Sequence, residues 1–375
     1  MITNFRGLLN DKIRIEAFQQ AINELVNPEH SVLEIGFALG TYSFFAARQN
    51  ARKVYAVEMD HIYYAGLEIA RRNDLLDKIN FIKGKSTEID IDEKVDFIIM
   101  EDYSPFFIYE NLEKTIIDAR QRFLKPDGKF IPNEIILKVA PVEAFSLHNQ
   151  IDLWQKENDV LYKINWDYTT ELAFNRPYYA ESHPLKMLAG ESVIKTIDLS
   201  KDSNFPFVFQ ADVNITGDGT LHGLAGWWDT FFTPTQFFSN SPAEPNNTWG
   251  QMFFPFQYPI KVRKGDRLTF QLQVLESRKS GNIDFKWQVE HSSSIQEYNS
   301  FRGSFMPAMS EISTVSRTQS KLNTEGKIAY YILDLFRKGL DINTIGIKLE
   351  KKFANSRVSR KRYQEILDNI LEQFI

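Results

Sequence analysis

Residues 31–60 read SVLEIGFALGTYSFFAARQNARKVYAVEMD, and this stretch decides the fold. Val32–Ile35 reads as a buried strand, ended by Gly36 and Gly40. A stretch rich in Ala and Phe then suits a helix, and a second apolar run, Val54–Val57, closes on Glu58. Strand, glycine turn, helix and strand make a nucleotide-binding βαβ unit. The glycines let the backbone turn sharply and approach a ligand with no Cβ in the way. A carboxylate ending the second strand can accept hydrogen bonds from ribose hydroxyls. A dinucleotide fingerprint needs G-x-G-x-x-G, whereas Phe37, Ala38 and Leu39 separate the two glycines and Thr41 stands where the last would fall. The turn suits a cofactor with no pyrophosphate to cradle.

Around this unit the signals alternate. Ile15, Phe18, Ile22 and Leu25 recur at three- and four-residue spacing, so a helix opens near Asp11. Asp60 can cap a helix reaching about Asn73; Asn80–Lys83 and Val95–Met100 read as strands; Asn111–Phe123 reads as a helix stopped before Pro126 and Gly128. Such alternation predicts a doubly wound, mainly parallel sheet with its ligand at the carboxyl ends of the strands, over residues 1–131. From Pro132 the pattern changes to short apolar runs punctuated by Gly, Pro, Asn and Asp, which predicts an antiparallel barrel or sandwich over 132–291. Thr169–Glu191 breaks that rhythm as a candidate dimerisation excursion or a surface loop. Residues 292–323 read as a Ser-rich linker. Residues 324–375 read as three short amphipathic helices capped by Asn323, Asp341 and Ser359. The basic residues Lys351, Lys352, Arg357, Arg360, Lys361 and Arg362 fit a solvated helix face, since acidic residues interleave with them.

With 375 residues the chain can bury a large core without disulfides or metal, and it contains no Cys, which removes thiol nucleophiles and cysteine zinc sites. The start MITNFRGLLNDKIR lacks a signal-peptide core and no apolar run reaches spanning length, so a soluble, cytoplasmic protein away from membranes is expected. A net charge of −5 argues against a nucleic-acid partner and favours a cationic one.

The second concentration of signal is MEDYSPFFIYE, residues 100–110, directly after the strand VDFII. Glu101 and Glu110 stand nine residues apart on a strand-to-helix loop. Two carboxylates facing one pocket can share a proton, bind a metal or grip a guanidinium. A metal would recruit further ligands and only Asp102 is near, so no metal site is expected. Taken alone, the loop favours a glutamate that merely caps or pairs at the surface.

Several stretches together carry a resemblance. VLEIGFALGTYSFFAARQNARKVYAVE, KGKSTEIDIDEKVDFII, MEDYSPFFIYE, LKPDGKFIPNE, HGLAGWWDTFF and NTWGQMFFPFQYPIKVRKGD resemble, in order, the motifs of the protein arginine methyltransferase family, over roughly Leu8 to His291. The resemblance implies a Rossmann-like domain binding S-adenosylmethionine, then a β-barrel, and a homodimer. By it, Arg14 binds the methionine carboxylate, Glu34 lies near the amino group, Gly36 and Gly40 line the turn, Glu58 holds the ribose, and Ser86 and Thr87 lie by the adenine. Glu101 and Glu110 hold the substrate guanidinium, with Asp102, Tyr103, Thr248 and Trp249 beside the acceptor. The C-terminal helices loosely resemble the helical part of winged-helix domains.

The departures are specific. No counterpart of the family's aromatic N-terminal motif precedes Leu8, which stands where a site methionine is usual. Ala38 replaces a glycine, Asp102-Tyr103-Ser104 replaces Trp-Met-Gly, and Thr248 replaces the histidine of Thr-His-Trp, although its partner aspartate remains as Asp11. His222 reads as a structural barrel histidine. Three functions stand at this point: N-methylation of an arginine guanidinium in a protein or peptide, methylation of a small amine, amidine or hydroxyl metabolite, and an inactive methyltransferase-like binding module.

Overall fold

A computed structural model describes residues 2–156, 164–180, 183–201, 204–244, 249–276, 283–292, 294–303, 324–338, 340–353, 363, 365–367 and 370. The expected caps Asn323 and Ser359, residues 304–323 of the linker expected over 292–323, residue Thr248 and four basic residues from Arg357 to Arg362 lie outside these. The chain forms two compact units, Met1–Met306 and Pro307–Ile375.

The first unit opens with five parallel strands, β1 (Ser31–Ile35), β2 (Lys53–Glu58), β3 (Ile79–Lys83), β4 (Val95–Met100) and β5 (Leu124–Ile131), in the order β3-β2-β1-β4-β5. β1 and β4 run side by side with Ile35 opposite Met100. The strand order reverses between them, which is where a doubly wound sheet leaves its ligand crevice. The two stretches singled out above, beginning at Gly36 and at Glu101, therefore leave the sheet at the same point. Helices α1 (Ile2–Asn10), α2 (Lys12–Leu25), α3 (Thr41–Arg48), α4 (Tyr63–Arg72) and α5 (Leu112–Arg122) accompany these strands. α2 starts where expected, because the Asp11 side chain accepts from the Arg14 amide at 3.2 Å. β5 begins directly after α5 and contains the Pro126 and Gly128 that signalled a turn. Its pairing with β4 slips there, from Val95 opposite Leu124 to Phe97 opposite Lys129, so the proline's missing donor falls in the irregular part.

From Glu134 the chain is antiparallel. The strands are β6 (Glu134–Glu143), β7 (Tyr178–Tyr179), β8 (Lys186–Met187), β9 (Ser192–Asp198), β10 (Phe207–Asn214), β11 (Gly219–Phe231), β12 (Phe237–Ser239), β13 (Met252–Val262), β14 (Arg267–Glu276), β15 (Ile283–His291) and β16 (Ser294–Asn299). One sheet runs β7-β13-β11-β6-β8, with β9 and β12 paired to β6 and β11, and the other runs β10-β14-β15-β16. They pack face to face: Phe254 lies 5.4 Å from Phe285 and 5.5 Å from Trp287, whose Nε1 donates to the Pro255 carbonyl at 2.9 Å. Among the described residues no hydrogen-bonded pairing joins the two sheets, so this layer is barrel-like without a closed ladder.

The helical break in this layer begins earlier than Thr169. Helices α6 (Phe145–Ile151), α7 (Leu153–Lys156) and α8 (Asp167–Phe174) occupy it, while the stretch to Glu191 carries the short β7 and β8. It exposes Leu153, Trp154, Ile164 and Tyr168. A short helix, α9 (Ser300–Gly303), follows β16, so residues 294–303 are not linker as expected: β16 pairs with β15 as the edge of its sheet. In the second unit, α10 (Thr324–Arg337) and α11 (Ile342–Phe353) bury Ile328, Ile332, Ile345 and Leu349 with Leu367 and Ile370, and Asp341 caps α11 through the Thr344 amide at 3.0 Å.

Candidate active site

Past β1 the backbone turns through left-handed conformations at Gly36 (φ 77°), Ala38 (φ 48°) and Gly40 (φ 90°). The Gly36 amide donates to the Val57 carbonyl at 2.8 Å, tying the turn to β2. A Cβ at Gly36 would project into open space, whereas one at Gly40 would meet the Phe44 ring at 2.5 Å. Open space at Gly36 is backbone left accessible to a ligand, and the close approach at Gly40 is helix packing. Ala38 tolerates a conformation that costs a residue with a Cβ about 1–2 kcal/mol. Glu58, buried at the end of β2, holds it there by accepting from the Ala38 amide at 3.0 Å and from the Asp60 amide at 2.7 Å.

Glu34, on β1, is buried, and one of its oxygens accepts from both the amide (2.6 Å) and the hydroxyl of Ser43 on α3. Burial pushes its carboxyl up to about 8 against the pull of the Ser43 donors. Arg14, on α2, is also buried. Its Nη1 donates to Glu101 Oε1 at 2.8 Å, its Nη2 donates to the Leu8 carbonyl, and its Nε has no hydrogen-bond partner. The guanidinium lies 5.1 Å from the centroid of the Trp249 ring. Burial raises Glu101 to about 7, with the Arg14 charge opposing. Arg14, Glu34, Gly36, Ala38 and Glu101 share one cavity, whose apolar wall includes Phe5, Leu8 and Leu9 of α1.

The loop after Glu101 is fixed from below. The Tyr103 hydroxyl donates to the Met100 carbonyl, and the Ser104 hydroxyl donates to the Ile108 carbonyl at 3.0 Å. From the antiparallel layer, Trp228 Nε1 donates to the Ser104 carbonyl (3.0 Å), Trp249 Nε1 to the Tyr103 carbonyl (3.1 Å) and Asn240 Nδ2 to the Pro105 carbonyl (2.8 Å). Phe106 is driven into the core between Phe254 and Phe285, and Gly226 admits it, since a Cβ there would meet its ring at 2.6 Å. The loop's geometry is thus set by β11 and the segments flanking β13. Asp102 is exposed, 3.4 Å from the Tyr109 hydroxyl.

The structure does not gather every expected residue. Glu110 is exposed, and the Asn111 side-chain amide donates to it at 3.4 Å, while Glu101 faces the cavity on Arg14. Glu58, Ser86 and Thr87 stand outside that cavity's lining; Ser86 and Thr87 sit on a short 3₁₀ turn after β3. Thr248 lies outside the described residues. Phe5, Leu9, Trp228 and Asn240 were not singled out from sequence. For Phe5 and Leu9 the signal was the apolar spacing within MITNFRGLLN; for Asn240 there was none, because a lone polar residue after a strand carries no pattern. Among the described residues no group of three or more His, Asp or Glu could hold a metal, and no helix is long and apolar enough to cross a membrane.

Fold and site define a Rossmann-like, nucleoside-type α/β domain whose acidic second loop is braced by an antiparallel layer. Residues 134–293 match the family model described as the arginine methyltransferase oligomerization subdomain. The chain is 29% identical over 329 residues to protein arginine N-methyltransferase PRMT10 of Oryza sativa subsp. japonica, covering 78% of this chain and 86% of that protein. It is 30% identical over 302 residues to the histone-arginine methyltransferase CARMER of Anopheles gambiae, covering 76% of this chain and 48% of that protein. Among solved structures, the Trypanosoma brucei PRMT1 enzyme–prozyme heterotetramer with AdoHcy superposes with a TM-score of 0.69 at 25% identity, covering 78% of this chain and 96% of that one. Arabidopsis thaliana protein arginine methyltransferase 10 shares the fold, with a TM-score of 0.70 at 21% identity over 80% of this chain and 98% of that one. In sequence and in fold the chain is similar to protein arginine methyltransferases.

Proposed function

We propose that the chain transfers a methyl group from S-adenosylmethionine to a guanidinium nitrogen of arginine in a protein or peptide. The observation that carries this reading is the placement of Glu101 at the reversal of strand order, one residue past β4 and beside the Gly36 turn, with a guanidinium already bonded to it at 2.8 Å. A site that accommodates the Arg14 guanidinium against a half-buried carboxylate and the Trp249 ring has the chemistry to hold another.

The residues fit the donor. The open face of Gly36 leaves room beside the backbone, the partnerless Arg14 Nε can meet a carboxylate, and Glu34 can face an ammonium. Glu58 uses one lone pair on each oxygen for backbone amides and keeps others for ribose hydroxyls. S-adenosylmethionine supplies an electrophilic methyl on a sulfonium sulfur. As the nitrogen–methyl bond forms and the sulfur–methyl bond breaks, the nitrogen sheds a proton. Before transfer the guanidinium cannot be deprotonated, its pKa being above about 12. Glu101 therefore orients and polarises it, and with a pKa of about 7 it can take the proton late. Arg14 moves between two roles in this scheme, gripping the donor's carboxylate and steadying Glu101. Glu110 joins the clamp in this reading by turning inward from its exposed position.

The oligomerization-subdomain match and the exposed Leu153, Trp154 and Tyr168 of the helical break support a homodimer, which light scattering of wild type against Trp154→Glu tests. Arginine peptides incubated with the methyl donor and read by mass spectrometry test the reaction. Glu101→Gln should lose about 10²–10⁴-fold in rate, and an unchanged rate removes Glu101 from it. The exposed Glu110 and the substitution at Thr248 favour the binding-module alternative; calorimetry with S-adenosylhomocysteine and no methylated product would support it.

A further inference from the structure

A second cavity, of about 660 Å³, opens on the antiparallel layer and is lined by Glu143, Phe145, His148, Asp152, His222 and Tyr258 among others. It is separate from the candidate active site: His222 stands six positions before Trp228 on β11, roughly 20 Å along the strand. Its floor is two buried histidines with ring centroids 5.0 Å apart. His148 Nε2 lies 2.8 Å from the Phe256 carbonyl and must be the donor, since a carbonyl only accepts. His222 Nδ1 accepts from the Ala144 amide at 3.2 Å, which requires a neutral ring, and burial with His148 beside it lowers its pKa. Among the described residues the lining contains no Lys or Arg, while Glu143 and Asp152 bring two carboxylates. The Glu143 carboxylate accepts from the Thr220 amide at 2.7 Å, and the exposed Lys186 lies 3.8 Å away. At the rim, Phe145 and Tyr258 are 68% and 63% exposed.

We propose that this cavity binds an alkylguanidinium or alkylammonium group, its charge met by Glu143 and Asp152 and its flat or apolar surface by the Phe145 and Tyr258 rings. Anionic walls, an uncharged floor and exposed aromatic faces together select an organic cation over an anion or a neutral solute. The polar floor excludes a purely hydrocarbon guest. Either a free metabolite or a side chain of a peptide carries such a group.

The six histidines make a local probe, because none lines the candidate active site. Full-length protein labelled at histidine 13Cε1 is titrated with the Nα-acetylated forms of arginine amide, lysine amide and citrulline amide, the last a neutral near-isostere of arginine. The His148 and His222 signals, assigned through His148→Gln and His222→Gln, should move with the two cations and not with citrulline amide. Glu143→Gln with Asp152→Asn should raise the Kd about tenfold or more, and Phe145→Ala or Tyr258→Ala, both at exposed positions, severalfold. Glu101→Gln should leave it unchanged. A glycine-flanked arginine peptide binding more tightly than the acetylated arginine amide would identify a chain-borne cation, and equal binding a small molecule; either supports the site. Equal shifts with citrulline amide, a Kd indifferent to the carboxylates and rings, no shift with any cation, or shifts that follow protein dilution alone would overturn it. No methyl transfer is read, so the result is independent of the proposed reaction.

Discussion

Replacing Glu34 by Gln should stabilise the parallel-sheet domain progressively as pH rises from about 4.5 to about 8. The carboxyl is raised from 4.5 to about 8 by burial, and the Ser43 amide and hydroxyl that bond to it would still find an oxygen in Gln. The unfolded carboxyl ionises near its ordinary value and the folded one near 8. Between those limits the native state binds more protons than the unfolded one, so stability falls as pH rises. At about 1.4 kcal/mol per tenfold change in proton affinity, the full loss above pH 8 is up to roughly 5 kcal/mol. Glu34→Gln escapes this loss. It should match wild type near pH 5 and exceed it by several kcal/mol near pH 9. Hydrogen exchange of the segment Ser31–Arg48, corrected for the intrinsic pH dependence of exchange, reads the local opening free energy without assuming that the whole chain unfolds at once. A difference between variant and wild type that stays flat from pH 5 to 9 would refute a carboxyl held uncharged by burial. Added S-adenosylmethionine should shrink the difference, because an ammonium near Glu34 favours its ionised form.

Methylation should rise with pH through about 7 and then level off, since Glu101 acts ionised and loses that form as pH falls; pH–rate profiles check this, and Glu101→Gln should abolish the dependence. Asn240→Ala removes hydrogen bonds to the Pro105 and Gly250 carbonyls and from the Trp228 amide, all buried, and should cost roughly 2–4 kcal/mol in urea unfolding. Gly226→Ala forces a methyl against the Phe106 ring and should cost about 1–3 kcal/mol while raising KM for the arginine acceptor more than for the methyl donor.

Much of this architecture was legible because local chemistry and global fold agree. Apolar runs bounded by Gly36 and Gly40 could only be buried parallel strands, and Asp11 marked α2 by a cap that needs no tertiary partner. The cofactor turn was readable for the same reason, as glycine spacing, Glu58 and the left-handed conformations belong to one short segment. The acceptor side was less legible. Glu101 and Glu110 are nine residues apart in sequence, yet the spacing says nothing of their directions, which Trp228, Trp249 and Asn240 impose from over a hundred residues away. The start of the helical break at Phe145 carries no signal in the sequence, because the residues there follow β6 without a glycine or proline to mark the change. β5 is not legible in the sequence, because Pro126 and Gly128 sit inside a pairing slip that only the neighbouring strand reveals.

The bracing of the acceptor loop by Trp228, Asn240 and Trp249 bears on how such a chain can be recombined. The covalent boundary near Ile131 separates the parallel sheet from the antiparallel layer, but the loop from Glu101 to Glu110 belongs to the first by connectivity and to the second by its supports. A crossover with a relative at residue 131 would hand that loop a foreign mould. Exchanging 101–110 together with 219–251 keeps cast and mould together, so new acceptor preferences should travel as that discontinuous pair of segments.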